Sequence, residues 1–325
     1  DGIRDVAVTG VQTCALPICF EDVADPTPAA GQALVRVEAA GVNFIDVYHR
    51  MGIYKIPLPF TLGQEGAGVV EAVADGVTAV KPGDRVAWTS VMGSYAQRAL
   101  VPADRVVPLP AGMTTKQGAA TMLQGMTAHY LAVSTYPLKA GDTCIVHAGA
   151  GGVGLLLTQI AKLRGARVIT TVSTPEKAAL SKAAGADLVV QYTSEDFEEA
   201  AKKETGGKGM QVVYDSVGLT TYMKSLNSLA PRGLLALFGQ SSGVVPPIDP
   251  GILAGKGSLF LTRPSLVHHI ASNDELRQRA TELVDWIASG KLKLRIEHEY
   301  PLKDAADAHR ALEGRKTTGK VLLIP

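Results

Sequence analysis

Cysteine, aromatic residues and net charge are all in short supply in this 325-residue chain, and each shortage removes a class of function. Of three cysteines, Cys14 and Cys19 fall in an N-terminal stretch set aside below, and Cys144 lies in an apolar run patterned as a buried strand. Neither a disulfide framework nor a cysteine-rich metal lobe can be assembled from these, which suits a reducing, cytoplasmic setting. The formal net charge is +1, and lysines and arginines form no stripe, so neither nucleic acid nor an anionic membrane is expected as a partner. Aromatics are only 5 % of residues, too few to suggest a base-stacking platform. No apolar stretch approaches the ~20 residues that cross a bilayer as a helix, so a soluble protein is expected. The nearest thing to a basic run, Lys291-Leu292-Lys293-Leu294-Arg295, alternates with apolar residues and reads as a half-buried strand, Leu292 to His298. The chain's histidines sit nowhere at metal-ligand spacing with another soft ligand. His268-His269 reads as a helix-surface pair, and His147 as a strand residue with a hydrogen-bonded ring.

Residues 1–18 read as a translated sequencing adapter. Codons for Asp1 to Asp5, a barcode supplying Val6-Ala7 and codons for Val8 to Ile18 run on without a break, and the adapter's last base opens the Cys19 codon. A basic segment followed by an apolar one, as a signal peptide requires, is not present. Residues 1–19 are therefore left out of fold reasoning. A natural N-terminal strand is expected to be missing, and a strand over Val6 to Thr13 would stand in for it.

What the chain does have is a mostly β first part and an alternating second part. Alternation of Ala33, Val35 and Val37 with polar residues marks a strand over Gly31 to Glu38. Short strands follow at Ala67–Val73, Arg85–Trp88, Tyr95–Val101 and Val106–Leu109, divided by turns such as Lys81-Pro82-Gly83-Asp84. Thr115 to Val133 reads as helix. Strands at Thr143–Ala148, Arg167–Val172, Leu188–Gln191, Met210–Asp215, Leu234–Phe238 and Ser258–Leu261 then alternate with helices, the pattern of an α/β, doubly wound parallel sheet. A helix over Asp274–Ala288, the strand Leu292–His298, a helix over Asp304–Glu313 and a strand over Gly319–Leu323 return to the mixed style of the start.

Between the first of those parallel strands and its helix lies Gly149-Ala150-Gly151-Gly152-Val153-Gly154. A strand must turn sharply into a helix there, and a backbone bare of Cβ must admit a pyrophosphate to the helix's free N–H groups, so the segment reads as a dinucleotide-binding turn. NAD-specific turns present an acidic residue about 20 positions on, which accepts from the ribose 2′-OH. Strand Arg167–Val172 ends instead at Ser173, with Thr174 and Lys177 following. A hydroxyl and an ammonium suit a 2′-phosphate, so NADPH is the expected cofactor. Ser173 can equally cap the helix that begins at Pro175, and the two duties can coexist.

Over residues 20–325 the chain resembles the zinc-independent quinone oxidoreductases, the zeta-crystallin-like branch of the medium-chain dehydrogenase/reductase superfamily. The stretches that carry the resemblance are Ala39 to Asp46, Gly63 to Val70, Leu123 to Ala128, the glycine turn with Gln159 and Lys162 behind it, Lys256 to Pro264, and Thr317-Thr318-Gly319-Lys320. The resemblance implies a Rossmann sheet, residues 123–264, inserted in a mostly β GroES-like catalytic domain made of 20–122 and 265–325. Zinc-dependent relatives carry a Cys where this chain has Asn43 and a His where it has Gln64; neither residue is a normal zinc ligand, so no catalytic metal is expected. By resemblance Asn43, Asp46, Tyr48, Tyr54, Gln64 and Thr127 surround the reacting end. Asn43 and Gln64 are expected to offer amide N–H groups to a carbonyl oxygen, Tyr48 and Tyr54 a ring to stack on a flat acceptor, and Asp46 to orient rather than to give protons. The plainer alternatives are that Asn43 braces a turn and Tyr54 covers a loop. Gly149, Ala150, Gly151, Gly152, Val153, Gly154, Ser173, Lys177, Tyr192, Ser216 and Gly239 are implied on the cofactor side, with Arg315 or Lys316 closing over it from the C-terminal segment.

Without a Lewis acid, hydride transfer favours an acceptor that is already electrophilic. An NADPH-dependent quinone reductase is the leading expectation. A reductase of 2-alkenals or other enones, and a non-catalytic NADPH-binding protein, are the alternatives. The resemblance also implies a homodimer, paired through strands of the Leu234–Pro264 segment.

Overall fold

A computed structural model of the chain describes the backbone of residues 3–8 and the whole of residues 16–325. The chain opens with β1 (Ile3–Val8), β2 (Ile18–Val23), β3 (Gln32–Val42), α1 (Phe44–Arg50), β4 (Phe60–Thr61), β5 (Glu65–Val73), β6 (Arg85–Thr89), β7 (Arg98–Pro102) and β8 (Val107–Pro108). Helix α2 (Thr115–Tyr130) runs on as a π-helical turn, Leu131–Thr135, and leads to β9 (Thr143–Val146), α3 (Gly152–Leu163), β10 (Arg167–Val172), α4 (Pro175–Ala183), β11 (Leu188–Gln191) and α5 (Phe197–Glu204). Then come β12 (Met210–Asp215), α6 (Tyr222–Asn227), β13 (Leu229–Leu237), α7 (Pro250–Gly255), β14 (Phe260–Thr262) and α8 (Leu266–His269). The chain ends with α9 (Asn273–Ala288), β15 (Ile296–Pro301), α10 (Ala305–Glu313) and β16 (Lys320–Ile324). Two compact units result. The first holds the described residues up to Gln124 with Ile270–Ala288 and Leu294–Pro325; the second holds Gly125–His269 with Ser289–Lys293.

The first unit is built around a seven-stranded sheet in the order β15-β16-β3-β5-β6-β8, with β7 also on β3. Strand β3 is longer than its alternating segment because it changes partner along its length. Its first half pairs with β7, from Gln32 opposite Pro102 to Arg36 opposite Arg98, and its last residues pair with β16, Val42 opposite Val321. There Ala39 to Val42 are all buried, so alternation stops where β3 pairs with β16.

At the edge of this unit β1 pairs antiparallel with β2 and β4. Of the expected stand-in strand, Val6 to Thr13, the first three residues lie in β1 (Ile3–Val8), and residues 9–15 lie outside the described residues. The segment set aside also reaches the core. Leu16 is buried, donates its N–H to the Arg50 carbonyl at 2.9 Å, and packs in one cluster with Val35, Leu62 and Leu323, with Ile18 and Phe20 against it. Apolar residues of any origin that land in an open slot of a core gain by burial.

The second unit is a six-stranded, all-parallel sheet in the order β11-β10-β9-β12-β13-β14. This is the doubly wound order, with its switch point between β9 and β12. Five consecutive residues of β10, Val168 to Val172, are buried, as a strand covered on both faces requires. The strand expected over Leu292–His298 forms only from Ile296. Lys293 finds its backbone partners elsewhere: its N–H donates to Gln159 Oε1 at 2.8 Å and its carbonyl accepts from Gln159 Nε2 at 3.1 Å. A side-chain amide thus takes the place of a neighbouring strand. Among the described residues no helix is long and apolar enough to cross a membrane.

Candidate functional site

In the second unit the glycine turn is shaped by close approach rather than by flexibility. Ala148 opens it in the left-handed region at φ 53°, and Gly151 is the N-cap of α3 with no side chain capping the helix's first amides. A Cβ on Gly154 would fall on the Ala148 carbonyl oxygen and 3.0 Å from the Gly149 Cα; one on Gly149 would lie 2.6 Å from the Thr170 Cβ. The bare backbone and uncapped amides leave the cradle that a dinucleotide's pyrophosphate needs, so the residues present fit that cofactor.

Helix α4 is capped by Thr174, whose Oγ1 accepts from the Lys177 N–H at 3.3 Å, and the capping duty expected of Ser173 falls to its neighbour. Ser173 and Lys177 are half-buried at the end of β10. Tyr192 is exposed, and its N–H donates to the Val172 carbonyl at 3.1 Å, which sets it beside the same strand end. No carboxylate follows β10 before Glu176. The carbonyl of Asp215, just before Ser216, accepts from the Gly239 N–H at 3.2 Å, and a Cβ on Gly239 would lie 2.7 Å from the Ser216 Cα, so these two loops need glycine to meet. Gly152 and Val153 form the first turn of α3, while Ala150 is buried in the loop before it. Thr127 belongs to this unit, buried on α2. Arg315 and Lys316 are exposed in the first unit, past the end of α10.

In the first unit Asn43, Asp46, Tyr48, Tyr54 and Gln64 come together around α1. Tyr48 is buried and meets the half-exposed Tyr54 edge to face, ring centroids 5.8 Å apart; Phe44 lies 6.1 Å from Tyr48 on the other side. His49, which sequence reasoning passed over, stands 6.0 Å from Tyr54. Its Nδ1 and Nε2 lie 3.5 and 3.4 Å from Gln64 Nε2, so the amide faces the carbon between them rather than either lone pair. Burial pushes the His49 imidazole down to about 4, which keeps it neutral near pH 7.

Asn43 is not the free donor that the sequence suggested. Its amide nitrogen donates to the Gly41 carbonyl at 3.2 Å and to Glu65 Oε2 at 2.9 Å, which commits both hydrogens. Its Oδ1 accepts from Gln124 Nε2 at 3.1 Å and from Lys320 Nζ at 3.0 Å. Glu65 and Lys320, both buried, form an ion pair beside it, and Glu65 Oε1 accepts from the Leu123 N–H at 2.6 Å. The signal available in the sequence was one lone charge of each sign opening two apolar strands, Glu65 before Gly66-Ala67-Gly68-Val69-Val70 and Lys320 before Val321-Leu322-Leu323.

Asp46 departs from expectation in its protonation. Fully buried, it accepts from the Asn43 N–H at 2.9 Å and the Tyr95 hydroxyl at 3.1 Å, while its Oδ1 has no partner. Burial pushes its carboxyl up to about 7, against the lowering by those two hydrogen bonds and by Lys320. Because the folded value lies above the ordinary 3.8, the folded chain holds a proton between about pH 4 and 7 that the unfolded chain has released. Stability therefore falls as pH rises through that window and levels off above it, by up to about 4 kcal/mol. Asp46→Asn keeps a carbonyl for both donors and should abolish this slope, making the variant the more stable chain at pH 8. Urea denaturation at pH 5 and pH 8 checks it; an unchanged slope would place the titration elsewhere.

Among the described residues no group of three or more His, Cys, Asp or Glu side chains is gathered closely enough to hold a metal ion. The chain matches the zinc-binding dehydrogenase family model over residues 184–323 and the alcohol dehydrogenase GroES-like domain over residues 29–111. It is 46 % identical to quinone oxidoreductase 1 of Escherichia coli over 302 residues, covering 92 % of each chain. It is also 41 % identical to the 2-haloacrylate reductase of a Burkholderia species, covering 94 % of each. The crystal structure of Escherichia coli quinone oxidoreductase complexed with NADPH superposes with a TM-score of 0.94 at 43 % identity, covering 100 % of this chain and 99 % of that one. The chain thus belongs to the quinone oxidoreductase, or zeta-crystallin-like, branch of the medium-chain dehydrogenase/reductase superfamily.

Proposed function

We propose that this protein is an NADPH-dependent quinone reductase that needs no metal. The observation that carries the reading is the end of β10: Ser173 and Lys177 where an NAD-specific chain would present a carboxylate, next to a turn whose Gly149 and Gly154 leave no room for a Cβ. NADPH supplies the hydride. The chain's own tasks are to hold the pyrophosphate on the first amides of α3, to bind the 2′-phosphate through the Lys177 ammonium and the Ser173 hydroxyl, and to exclude water from the acceptor. On the acceptor side, the exposed Tyr54, backed by the buried Tyr48, presents ring surface to a flat substrate, and the Gln64 amide, poorly paired with His49, donates to a carbonyl oxygen. Asn43 acts at one remove, through Glu65, Lys320 and Gln124, as a positioning residue.

NADPH consumption by the purified chain, assayed against benzoquinone, naphthoquinones and 2-alkenals with NADH as control, tests the reading. Turnover on quinones with NADPH preferred is expected. The 2-haloacrylate reductase among the relatives favours the enone reading as the second one, and turnover on alkenals alone would establish it. Lys177→Ala is expected to raise KM for NADPH tenfold or more while KM for NADH moves little, a tenfold change being about 1.4 kcal/mol. Equal shifts for both cofactors would remove Lys177 from the phosphate pocket.

The same reading includes a homodimer. Strand β14 is an edge of the six-stranded sheet, and its Phe260 is 61 % exposed, the largest exposure among the exposed large apolar side chains of the described residues. An uncovered edge with an apolar residue is suited to pairing with a second copy. Sedimentation equilibrium should find a dimer, and Phe260→Glu should shift it to monomer; a monomeric parent chain would end the proposal.

A further inference from the structure

Four buried side chains in the second unit form a chain of hydrogen bonds whose direction can be worked out atom by atom. Asp215 Oδ1 accepts from the Val217 and Gly218 N–H groups at 2.8 and 3.0 Å and from the Thr221 hydroxyl at 2.9 Å; Oδ2 accepts from the Ser225 hydroxyl at 2.8 Å. The single Ser225 proton is thereby committed. His147 Nε2, 3.0 Å from Ser225 Oγ, must then be the donor to it, and the imidazole's Nδ1, bare in the neutral ring, accepts from the Thr171 hydroxyl at 2.8 Å. Burial holds His147 below the ordinary histidine range, in keeping with the neutral ring, although the Asp215 carboxylate acts the other way. All four residues are at most 2 % exposed.

Each end of this chain is anchored to a loop on the cofactor side. Thr171, two residues before Ser173, accepts from the Gly149 N–H through its carbonyl at 3.0 Å, tying β10 to the glycine turn. Asp215 holds the turn after Ser216 through Val217 and Gly218, and its carbonyl accepts from Phe238 at 2.9 Å and from Gly239 at 3.2 Å. His147 lies between, its own N–H donated to the Tyr214 carbonyl at 3.1 Å. A packed core needs none of these polar groups, and each becomes a buried, unpaired atom if its neighbour is removed.

We infer that the Thr171–His147–Ser225–Asp215 chain locks the glycine turn, the end of β10 and the 216–218 turn into one rigid cofactor-binding frame, with His147 as its positioning residue. The inference rests on the cofactor reading above, and it deepens that reading by adding buried residues that touch no part of the cofactor. It follows that cutting the chain should loosen the three loops together and weaken NADPH binding, while the acceptor side is unaffected.

Two readouts test it, one without cofactor. In hydrogen exchange of the cofactor-free protein, His147→Phe should speed exchange at Gly149, at Val217–Gly218 and at Gly239 together. In titration and kinetics, the same variant should raise Kd and KM for NADPH about tenfold, with KM for the quinone unchanged and kcat within about twofold. His147→Gln, which can accept from Thr171 and donate to Ser225, should restore most of both. If His147→Phe does not fold, Ser225→Ala cuts the chain at its middle with the loss of one oxygen and should give the same pattern. Faster exchange confined to α6, or an unchanged NADPH Kd in a folded variant, would overturn the inference. Failure of the parent chain to bind NADPH would strike the cofactor reading alone, since the exchange pattern decides the frame independently.

Discussion

Lys320→Met is expected to cost about 3–5 kcal/mol of stability, because it strands the fully buried Glu65 carboxylate without its ion-pair partner. Domains of ordinary stability hold only about 5–15 kcal/mol in all, so the variant should sit close to unfolding at ambient temperature. The ammonium also donates to Asn43 Oδ1, so its loss leaves that oxygen with the Gln124 amide alone. The double variant Glu65→Gln with Lys320→Met should recover most of the loss, since a neutral amide can still accept from the Leu123 N–H without the cost of a lone buried charge. Urea midpoints of the single and double variants measure both effects. A single variant within about 1 kcal/mol of the parent would mean that Glu65 takes up a proton or reaches water when Lys320 leaves. Gly41 is part of the same arrangement: a Cβ there would lie 2.8 Å from the Lys320 Cε, so even Gly41→Ala should disturb the pair.

Gly154→Ala should weaken NADPH binding at least tenfold and cost about 1–3 kcal/mol of stability. The added methyl would meet backbone, the Ala148 carbonyl and the Gly149 Cα, which cannot turn aside as a side chain can. Helix α3 must move off the sheet, and its first amides, which we propose hold the pyrophosphate, move with it. Gly151→Ala is the internal control. Its Cβ would meet the Ala148 oxygen at 3.2 Å, a contact relieved by a few tenths of an ångström, and its φ of −76° suits any residue. NADPH titration and thermal melts of the two variants compare them directly. Equal, small effects from both would mean that the turn tolerates a Cβ at its helix-packing glycine.

These effects divide along the range of the interactions behind them. Strands β10, β11 and β12 begin and end where their residues say they should, because a central parallel strand is a run of apolar residues bounded by turns, and nothing distant competes for its pattern. The glycine turn was legible for the same reason: strand, turn and helix lie within about twenty residues, and the backbone must be bare where it bends. The π-helical turn at Leu131–Thr135 and the Gln159 clamp on Lys293 were not, since each depends on a partner chosen by packing rather than by sequence neighbours. Thr174 rather than Ser173 capping α4 is a one-residue shift between two hydroxyls, which composition alone does not separate.

The acceptor side shows the limit most clearly. The sequence named Asn43, Asp46, Tyr48, Tyr54, Gln64 and Thr127 as a group; the fold gathers the first five around α1, while Thr127 is buried on α2 in the second unit. It could not say what each does there. Asn43 draws its partners from Glu65, Gln124 and Lys320, which lie 22, 81 and 277 positions away, and they leave its amide nothing to offer a substrate. Asp46 reads in the sequence as an orienting carboxylate; burial raises it to about 7 even though the Tyr95 hydroxyl and the Asn43 N–H both favour the charged form.

By itself, then, the sequence determined the order of the elements, the bare backbone of the nucleotide turn, the absence of a 2′-hydroxyl acceptor after β10 and the unsuitability of Asn43 and Gln64 as zinc ligands, because these depend on local pattern or on residue type alone. Tertiary structure decided which polar groups are already committed and which carboxyl keeps its proton. A side chain's hydrogen bonds and charge state are set by the dielectric and the partners around it, and those partners arrive only when distant segments fold together.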